Sequence, residues 1–184
     1  MNIIKDHPCE ILHIGFDDTD STLSRCTTQL AFKITDYLLK EDAKFIDYPL
    51  LIRLNPNVPW KTRGNGAVCL RISVKSHDKI IECIKQSIEE GSNIGAGANP
   101  GIVFFKGDKV PDIIKEFSRI AMFDILSRQK AEKVAKEHFL EYAAFGNGQG
   151  LVGSLAAIGC LLQRDHTFEA IAYRKPEYCG TARD

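Results

Sequence analysis

The chain is organised around the stretch Ile14-Gly15-Phe16-Asp17-Asp18-Thr19-Asp20-Ser21. Apolar residues stand at every second position from Leu12 to Phe16, which is the pattern of a strand with one buried face and with His13 on its polar side. Three carboxylates follow where this strand should end. Strand ends are where open α/β sheets usually place ligand chemistry, so we predict a functional site at this turn.

The acidic turn holds Asp17, Asp18 and Asp20 within four positions. Three close carboxylates repel one another unless a cation or a strong hydrogen-bond donor lies among them. Hard oxygen ligands suit Mg²⁺, which typically takes one or two protein carboxylates together with substrate phosphates. Taken alone, the same turn could equally be a solvated cap of the next helix, because Asp, Thr and Ser are common in turns and caps.

Length and composition set the class of protein. The 184 residues suit one domain with a substantial core, and the absence of a long apolar run argues against a membrane segment. The 24 basic and 24 acidic side chains give zero net charge, so contacts with RNA or phosphate must come from a local cluster. Six cysteines without a CxxC pair exclude a zinc ribbon and indicate a reduced, cytoplasmic protein.

The first two thirds of the chain predict a split sheet. The periodicity indicates a helix from about Cys26 to Lys40, capped by Ser24, and a second helix from about His77 to Glu90. The remaining apolar runs predict strands at Phe45–Leu54, with Pro49 marking an edge or bulge, and at Ala67–Val74 and Ile102–Phe105. We therefore expect an α+β fold, with a mixed sheet of β-α-β-β-α-β order.

The last third is predicted to be mainly helical. Helices are expected from Pro111 onward, from about Ser127 to Tyr142, and over Leu151–Gln163. A short strand at Phe168–Tyr173 would follow, and the polar residues 174–184 are typical of a linker or tail. We accordingly predict one functional domain over residues 1–173.

A basic loop follows the second predicted strand. Its prolines and glycines exclude a regular element, and Arg53, Lys61 and Arg63 supply groups suited to phosphate oxygens. Trp60, the only tryptophan, could stack on a base or pack against the protein. The other predicted phosphate-binding residues of this loop are Asn55, Gly64, Asn65 and Gly66.

A glycine loop, composed of Gly146, Asn147, Gly148, Gln149 and Gly150, precedes the last predicted helix. Such a loop at a helix start suits anion binding, although it lacks the pattern of a P-loop or a Rossmann loop, and a tight turn between two helices is the alternative. Together with the acidic turn and the basic loop, it completes a set of groups suited to phosphoryl or nucleotidyl transfer.

Several motifs resemble one family. They are Gly15-Phe16-Asp17-Asp18-Thr19-Asp20-Ser21, Cys26-Thr27-Thr28, Arg53-Leu54-Asn55-Pro56-Asn57-Val58-Pro59, Lys61-Thr62-Arg63-Gly64-Asn65-Gly66-Ala67, Asn99-Pro100-Gly101 and Gly153-Ser154-Leu155-Ala156-Ala157-Ile158-Gly159. Over nearly the whole chain they look like the N-terminal kinase domain of archaeal isoleucine-tRNA 2-agmatinylcytidine synthetase, the TiaS family. The long loop motif is the most specific of them.

The resemblance implies an ATP- and Mg²⁺-dependent phosphoryl-transfer domain of a tRNA-modifying ligase. Such a domain phosphorylates the C2 carbonyl oxygen of the wobble cytidine of isoleucine tRNA, which agmatine then displaces, and it phosphorylates itself on a threonine that matches Thr27. By resemblance the catalytic residues are Asp17, Asp18, Asp20, Thr27 and Lys61, with the three aspartates as metal ligands and the two loops binding ATP.

The RNA contact is expected to be weak for this chain alone. Its named basic groups are already assigned to ATP, and the sequence indicates no aromatic and basic surface stripe that could bind RNA. The alternatives are a stand-alone small-molecule or protein kinase and a non-catalytic module that binds nucleotides or RNA. ATP turnover and its dependence on tRNA would distinguish these three hypotheses.

Overall fold

The computed structural model describes residues 10–23, 25–62 and 64–160. Its strands are β1 Ile11–Asp17, β2 Lys44–Phe45, β3 Leu50–Arg53, β4 Gly66–Ser73, β5 Gly101–Lys106 and β6 Glu141–Ala144. Its helices are α1 Thr27–Lys40, α2 His77–Gly91, α3 Asp112–Ala121, α4 Arg128–Glu137 and α5 Leu151–Gly159, with a short 3₁₀ turn at Ile94–Ala96. None of these helices has the length and apolarity needed to cross a lipid bilayer.

The strands form one sheet in the order β2-β4-β1-β5-β6, and β3 also pairs with β4. The α+β class is confirmed, and the described elements follow one another as β1, α1, β2, β3, β4, α2 and β5. Every described ladder is antiparallel, where we predicted a mixed sheet. Helix α1 connects β1 to β2, and β4 lies between these two parallel strands in the sheet. Helix α2 connects β4 to β5, and β1 lies between them in the same way, so strands of the same direction are never neighbours.

Both faces of β1 are covered, so the prediction of one buried face is wrong. Leu12, Ile14 and Phe16 pack in a core with α1 and α2 on one face of the sheet. On the opposite face a second core is built from α3, α4 and α5. His13 faces this second layer and is only 2% exposed, so it is not on a solvated side of the strand.

Helix α5 approaches the sheet so closely that glycines are required. A Cβ built on Gly15 of β1 would lie 2.1 Å from the Ser154 carbonyl oxygen. A Cβ on Gly101 of β5 would lie 2.2 Å from the Leu151 nitrogen. Real Cβ contacts are never this short, so helix and strands meet backbone to backbone. The start of α5 is thereby placed at the end of β1 that carries the acidic turn.

The predicted helix from Ser127 to Tyr142 ends earlier, at Glu137, and the missed strand β6 follows it. Phe139, at φ 53°, takes the left-handed position that glycine usually occupies after a helix. The N–H of Leu140 donates to the Ala135 carbonyl at 2.8 Å, and the Phe139 N–H donates to Lys136 at 3.2 Å. These two hydrogen bonds end the helix, and the residues that follow pair with the edge of β5 as strand β6.

The other boundaries differ little from the prediction. The strand predicted at Phe45–Leu54 is divided into β2 and β3 around Pro49. Cys26, not Ser24, occupies the cap position of α1. Ser24, Gln163, the strand at Phe168–Tyr173 and the tail 174–184 lie outside the described residues, and so do Cys9 and Cys179.

Candidate active site

One cavity of about 310 Å³ brings the predicted groups together. Its walls come from the acidic turn, the first turn of α1, the loop after β3, the connection between α3 and α4, and the start of α5. The predicted site residues on its walls are Asp17, Asp18, Asp20, Thr27, Arg53, Lys61, Gly64, Asn65, Gly66 and Gly150. These positions extend from the first strand to the last helix, so the fold gathers distant parts of the sequence at one strand end.

The carboxylates of the acidic turn have distinct environments. Asp17 accepts a hydrogen bond from the Asp18 N–H at 2.7 Å, and burial raises its pKa well above the usual range. Burial and the neighbouring charge of Asp20 raise the pKa of Asp18 to about 7, although hydrogen bonds from Asn99 act in the opposite direction. Asp20 accepts a hydrogen bond from the Thr62 hydroxyl at 3.3 Å. Burial and mutual repulsion therefore disfavour the ionised form of these carboxylates, and a bound cation would offset both effects.

The donor set fits a cation that also binds a substrate. Within the described ranges, no three His, Cys, Asp or Glu side chains are arranged to hold a metal ion by themselves. Mg²⁺ is commonly bound through one or two carboxylates plus phosphate oxygens, and does not need a complete protein cage. Charge repulsion acts among all three carboxylates on the cavity wall, so Asp17, Asp18 and Asp20 are the candidate ligands.

Thr27 lies at the first position of α1, buried beside the acidic turn. The hydroxyl of Thr19 donates to the Thr27 hydroxyl oxygen at 3.0 Å. The Thr27 hydroxyl also lies on the cavity wall, within reach of a group bound there. Thr28 also lines the cavity, but its hydroxyl lies 3.0 Å from the sulfur of Cys26. The two threonines are therefore distinguished by their partners.

The basic loop contributes two described cations to the cavity. Arg53 passes close to the loop glycines, since a Cβ on Gly64 would lie 3.2 Å from its Nη1 atom. Lys61 is exposed, and its Nζ donates to the Val58 carbonyl at 3.3 Å. Arg63 lies outside the described residues, so its predicted phosphate contact stays a prediction.

The asparagines of this loop hold its shape. The side chain of Asn65 donates to the Asn55 carbonyl at 2.8 Å, and the Asn55 N–H donates to the Ala121 carbonyl at 3.1 Å. The Asn55 side chain accepts from the Asn57 N–H at 2.9 Å and does not line the cavity. These bonds close the loop and attach it to the end of α3.

Most of the glycine loop faces Asn99 and not the cavity. The Asn99 side-chain oxygen accepts from the Asn147 N–H, and its carbonyl accepts from the Gly150 N–H, both at 2.9 Å. Gly146 and Gly148 have positive φ angles of 60° and 70°, as tight turns require. Of the glycines in this loop, Gly150 alone lines the cavity, so Gly146, Asn147 and Gly148 form a turn between β6 and α5.

Sequence reasoning missed three contributors to the site. Asn99 connects the glycine loop to Asp18, and Gly153 lets α5 contact Asp17. Ile125 enters the cavity wall from the connection between α3 and α4. The only local signals were the Asn-Pro-Gly motif at 99–101 and the small residues at both Gly150 and Gly153. Ile125 carries no signal, because nothing local relates it to the acidic turn.

Comparisons with known proteins agree with this arrangement. The family model described as the TiaS TCKD domain matches residues 13–79, and the model described as the TiaS FLD domain matches residues 148–184. The curated isoleucine-tRNA 2-agmatinylcytidine synthetase TiaS of Cenarchaeum symbiosum (strain A) is 42% identical over 172 residues, covering 94% of this chain and 38% of the relative. The corresponding protein of Thermococcus sibiricus (strain DSM 12597 / MM 739) is 42% identical over 175 residues, covering 94% and 40%.

Solved structures match equally broadly. The crystal structure of TiaS in complex with isoleucine tRNA and ATP superposes with a TM-score of 0.84 at 38% identity, covering 92% of this chain and 40% of that one. The complex of TiaS with isoleucine tRNA, AMPCPP and agmatine gives a TM-score of 0.82 at 35% identity, with the same coverage. The chain thus spans about two fifths of the length of the relatives that it matches. The two domain models, the identity to the relatives and the shared fold show that the chain belongs to the TiaS family.

Proposed function

We propose that the cavity is the ATP-dependent phosphoryl-transfer site of a cytoplasmic isoleucine-tRNA 2-agmatinylcytidine synthetase. The observation that carries this proposal is the meeting of Asp18, Asp20, Thr27 and Lys61 on the walls of one cavity. Relatives of this name and complexes with isoleucine tRNA, ATP and agmatine support the substrates. The proposal covers the kinase-like step and the autophosphorylation as well as the ligation.

Each side of the cavity has a role in this reaction. Carboxylates among Asp17, Asp18 and Asp20 would hold Mg²⁺, which would neutralise charge on the phosphates of ATP. Lys61 and Arg53, both on the cavity wall, would bind the phosphate oxygens, and the contribution of Arg63 stays a prediction from the sequence. The start of α5, from Gly150 to Gly153, closes the remaining side of the cavity with main-chain atoms and small side chains.

The chemistry runs in two displacements. In the first, the C2 carbonyl oxygen of the acceptor cytidine forms a bond to the γ-phosphorus of ATP, and the bond to the leaving phosphate oxygen breaks. In the second, the amine of agmatine attacks C2, loses a proton, and phosphate departs with the former carbonyl oxygen. Thr27 is the second acceptor, because its hydroxyl lies on the cavity wall at the start of α1.

The test is ATP turnover by this chain with and without isoleucine tRNA and agmatine. Release of phosphate from γ-labelled ATP that requires Mg²⁺ and increases with isoleucine tRNA would support the proposal. Nucleoside mass analysis of the tRNA then shows whether the agmatine adduct forms. Turnover that is indifferent to tRNA would indicate a stand-alone kinase, and ATP binding without any turnover would indicate a non-catalytic module.

A further inference from the structure

Three large apolar side chains stand exposed on two segments that contribute to the cavity wall. Trp60 is 56% exposed and Ile125 is 48% exposed, and both line the cavity. Phe123, two residues before Ile125, is 78% exposed. We call these three residues the apolar rim. Exposed aromatic groups next to a polar site are unusual unless they contact a ligand.

The protein holds the two halves of the rim together. The Asn55 N–H donates to the Ala121 carbonyl at 3.1 Å, which attaches the loop of Trp60 to the segment that carries Phe123 and Ile125. The Asp124 N–H donates to the Ile120 carbonyl at 2.8 Å, so this segment continues directly from α3. The rim is therefore supported by backbone hydrogen bonds on both sides.

Charge around the rim favours a polyanion on one side. Lys61, next to Trp60, and Arg53 line the same cavity and are both exposed. The carboxylate of Asp124, between the two apolar residues of its segment, accepts a hydrogen bond from the Ile125 N–H at 2.8 Å. A phosphate would be attracted to the side of Lys61, while a flat apolar group would contact Trp60 and Ile125.

We propose that the apolar rim is a stacking platform for an unpaired nucleobase of the RNA acceptor, next to the nucleotide that enters the cavity. Single-stranded RNA is recognised by bases stacked on aromatic side chains, and Trp60 offers such an exposed face beside the cavity that holds the proposed reaction. Trp60 keeps more than half of its surface in solvent, which suits a base carried on a polymer outside the cavity better than an enclosed adenine. The platform rests on the proposed function, since it presumes an RNA acceptor.

This platform revises the expectation of no aromatic and basic surface for RNA. Trp60 and Lys61 are adjacent in the sequence, but Phe123 and Ile125 lie far beyond them, after α3. The fold brings Trp60, Lys61 and Ile125 onto the wall of one cavity, and Phe123 precedes Ile125 by two residues. Each stacked base contributes a modest amount of affinity, so the platform orients the RNA without making the binding by this chain tight.

The single tryptophan provides a direct test. Trp60 is the only tryptophan of the chain, so its fluorescence reports on the rim alone. We expect a short oligocytidylate to quench it in a saturable way, also in the presence of saturating ATP, and an abasic ribose-phosphate strand of the same length to leave it unchanged. Equal quenching by the abasic strand, or quenching by ATP with displacement of the oligonucleotide, would overturn the proposal.

Substitutions then measure the stacking contribution through the anisotropy of labelled oligocytidylate. Trp60→Ala should weaken binding by about fivefold or more, as loss of one stacked base predicts, while Trp60→Phe should stay within about twofold of the wild type. Phe123→Ala and Ile125→Ala should also weaken it. Tyr48→Ala is the matched control, because Tyr48 is equally exposed at 56% but does not line the cavity.

Thermal stabilisation of the wild-type chain by ATP is measured in parallel. Stabilisation by ATP without any effect of the rim variants on RNA binding would overturn the platform and leave the proposed function standing. Absence of ATP binding would instead overturn the proposed function. An equal loss of binding in the Tyr48→Ala variant would show that the effect is not specific to the rim.

Discussion

The carboxylate of Asp17 lies against the backbone of Gly153. A Cβ built on Gly153 would lie 1.9 Å from Oδ2 and 2.6 Å from Cγ of Asp17, well inside any real contact distance. Asp17 ends β1, and Gly153 lies in the first turn of α5. The Asp17 carboxylate therefore occupies the space that a side chain at position 153 of α5 would fill.

Gly153→Ala should disturb both stability and the site. The added methyl group must displace either the Asp17 carboxylate or α5, and overpacking of this kind costs about 1–3 kcal/mol. We expect a lower melting temperature and reduced ATP turnover. The matched control is Gly95→Ala, because a Cβ on Gly95 meets no atom within 4 Å. Equal melting temperatures for the two variants would contradict the close packing described above.

Asp18→Asn should stabilise the protein while removing its activity. Burial and Asp20 raise the pKa of Asp18 to about 7, so the folded state loses stability as the pH rises from about 4 to 7 and this carboxyl ionises. Asparagine avoids that cost and accepts the positive φ of 57° at this position.

Melting temperatures of the Asp18→Asn variant, measured without Mg²⁺ or nucleotide, should exceed those of the wild type at pH 8 and converge with them near pH 4. ATP turnover should fall more than about tenfold, which corresponds to roughly 1.4 kcal/mol in the barrier. Asp42→Asn is the control, since Asp42 is exposed and has the same φ of 57°. Wild-type turnover in the Asp18→Asn variant would argue against a metal ligand.

Lys61→Ala should weaken the use of ATP. Its ammonium group lines the cavity and makes one contact of 3.3 Å to a backbone carbonyl, which a phosphate oxygen can replace. Loss of a hydrogen bond to a charged group is worth about 1.5–3 kcal/mol, so kcat/KM for ATP should fall about tenfold or more. Lys133→Ala, on the exposed surface of α4, should behave as the wild type. A similar result for both variants would place the phosphates elsewhere.

Thr27 should be the residue that gains a phosphoryl group with ATP and Mg²⁺. The Thr27 hydroxyl lies on the cavity wall, 3.0 Å from the Thr19 hydroxyl of the acidic turn, whereas Thr28 is paired with the Cys26 sulfur. The tryptic peptide 26–33 contains both threonines, so fragment ions must locate the added mass. Thr27→Val should abolish the modification and Thr28→Val should retain it. Phosphate on Thr28 alone would reverse the assignment.

His13 should make the protein sensitive to mild acid. Its Nε2 donates to the Gly107 carbonyl at 3.0 Å, and burial lowers its pKa from 6.5 to about 4. Below pH 6.5 the unfolded chain therefore binds a proton at His13, whereas the folded chain does not bind this proton until the pH approaches 4. The associated stability is complete above pH 6.5 and is lost as the pH falls through 4, up to about 3 kcal/mol.

The comparison with a His13→Gln variant isolates this effect from the acidic turn, whose titration acts in the opposite direction. The advantage of the wild type in melting temperature should shrink between pH 7 and pH 4.5. His138→Gln is the control, because His138 is exposed at the end of α4. A constant difference between wild type and His13→Gln across this range would show that His13 does not titrate as described.

Local signals were enough to predict β1, the acidic turn and α1. The alternation up to Phe16, the three carboxylates and the stripe along α1 follow one another closely in the sequence, so neighbouring positions determine them. The basic loop was predicted as a loop for the same reason. Its role in the cavity depended on the resemblance to a family, because no pattern within the loop indicates where it points.

The wrong predictions all involve partners distant in sequence. The segment Glu141–Ala144 continues a helix-forming composition, but the free edge of β5 pairs with it as a strand. His13 was predicted to be solvated because nothing near it indicates that α5 would cover that face. Asn99, 48 residues before Asn147, receives hydrogen bonds from the glycine loop, which no local pattern indicated, and phosphate binding by this loop stays a prediction.

Backbone contact between α5 and the sheet also limits how the site can change. Where side chains separate two elements, a substitution can be absorbed by a new rotamer, and the catalytic distances can be adjusted gradually. At Gly15 and Gly101 there is no intervening side chain, so no rotamer exists to absorb a change. Evolution or protein engineering can therefore vary the rim and the loops of this site, but main-chain atoms fix the distance between α5 and the sheet beneath the cavity.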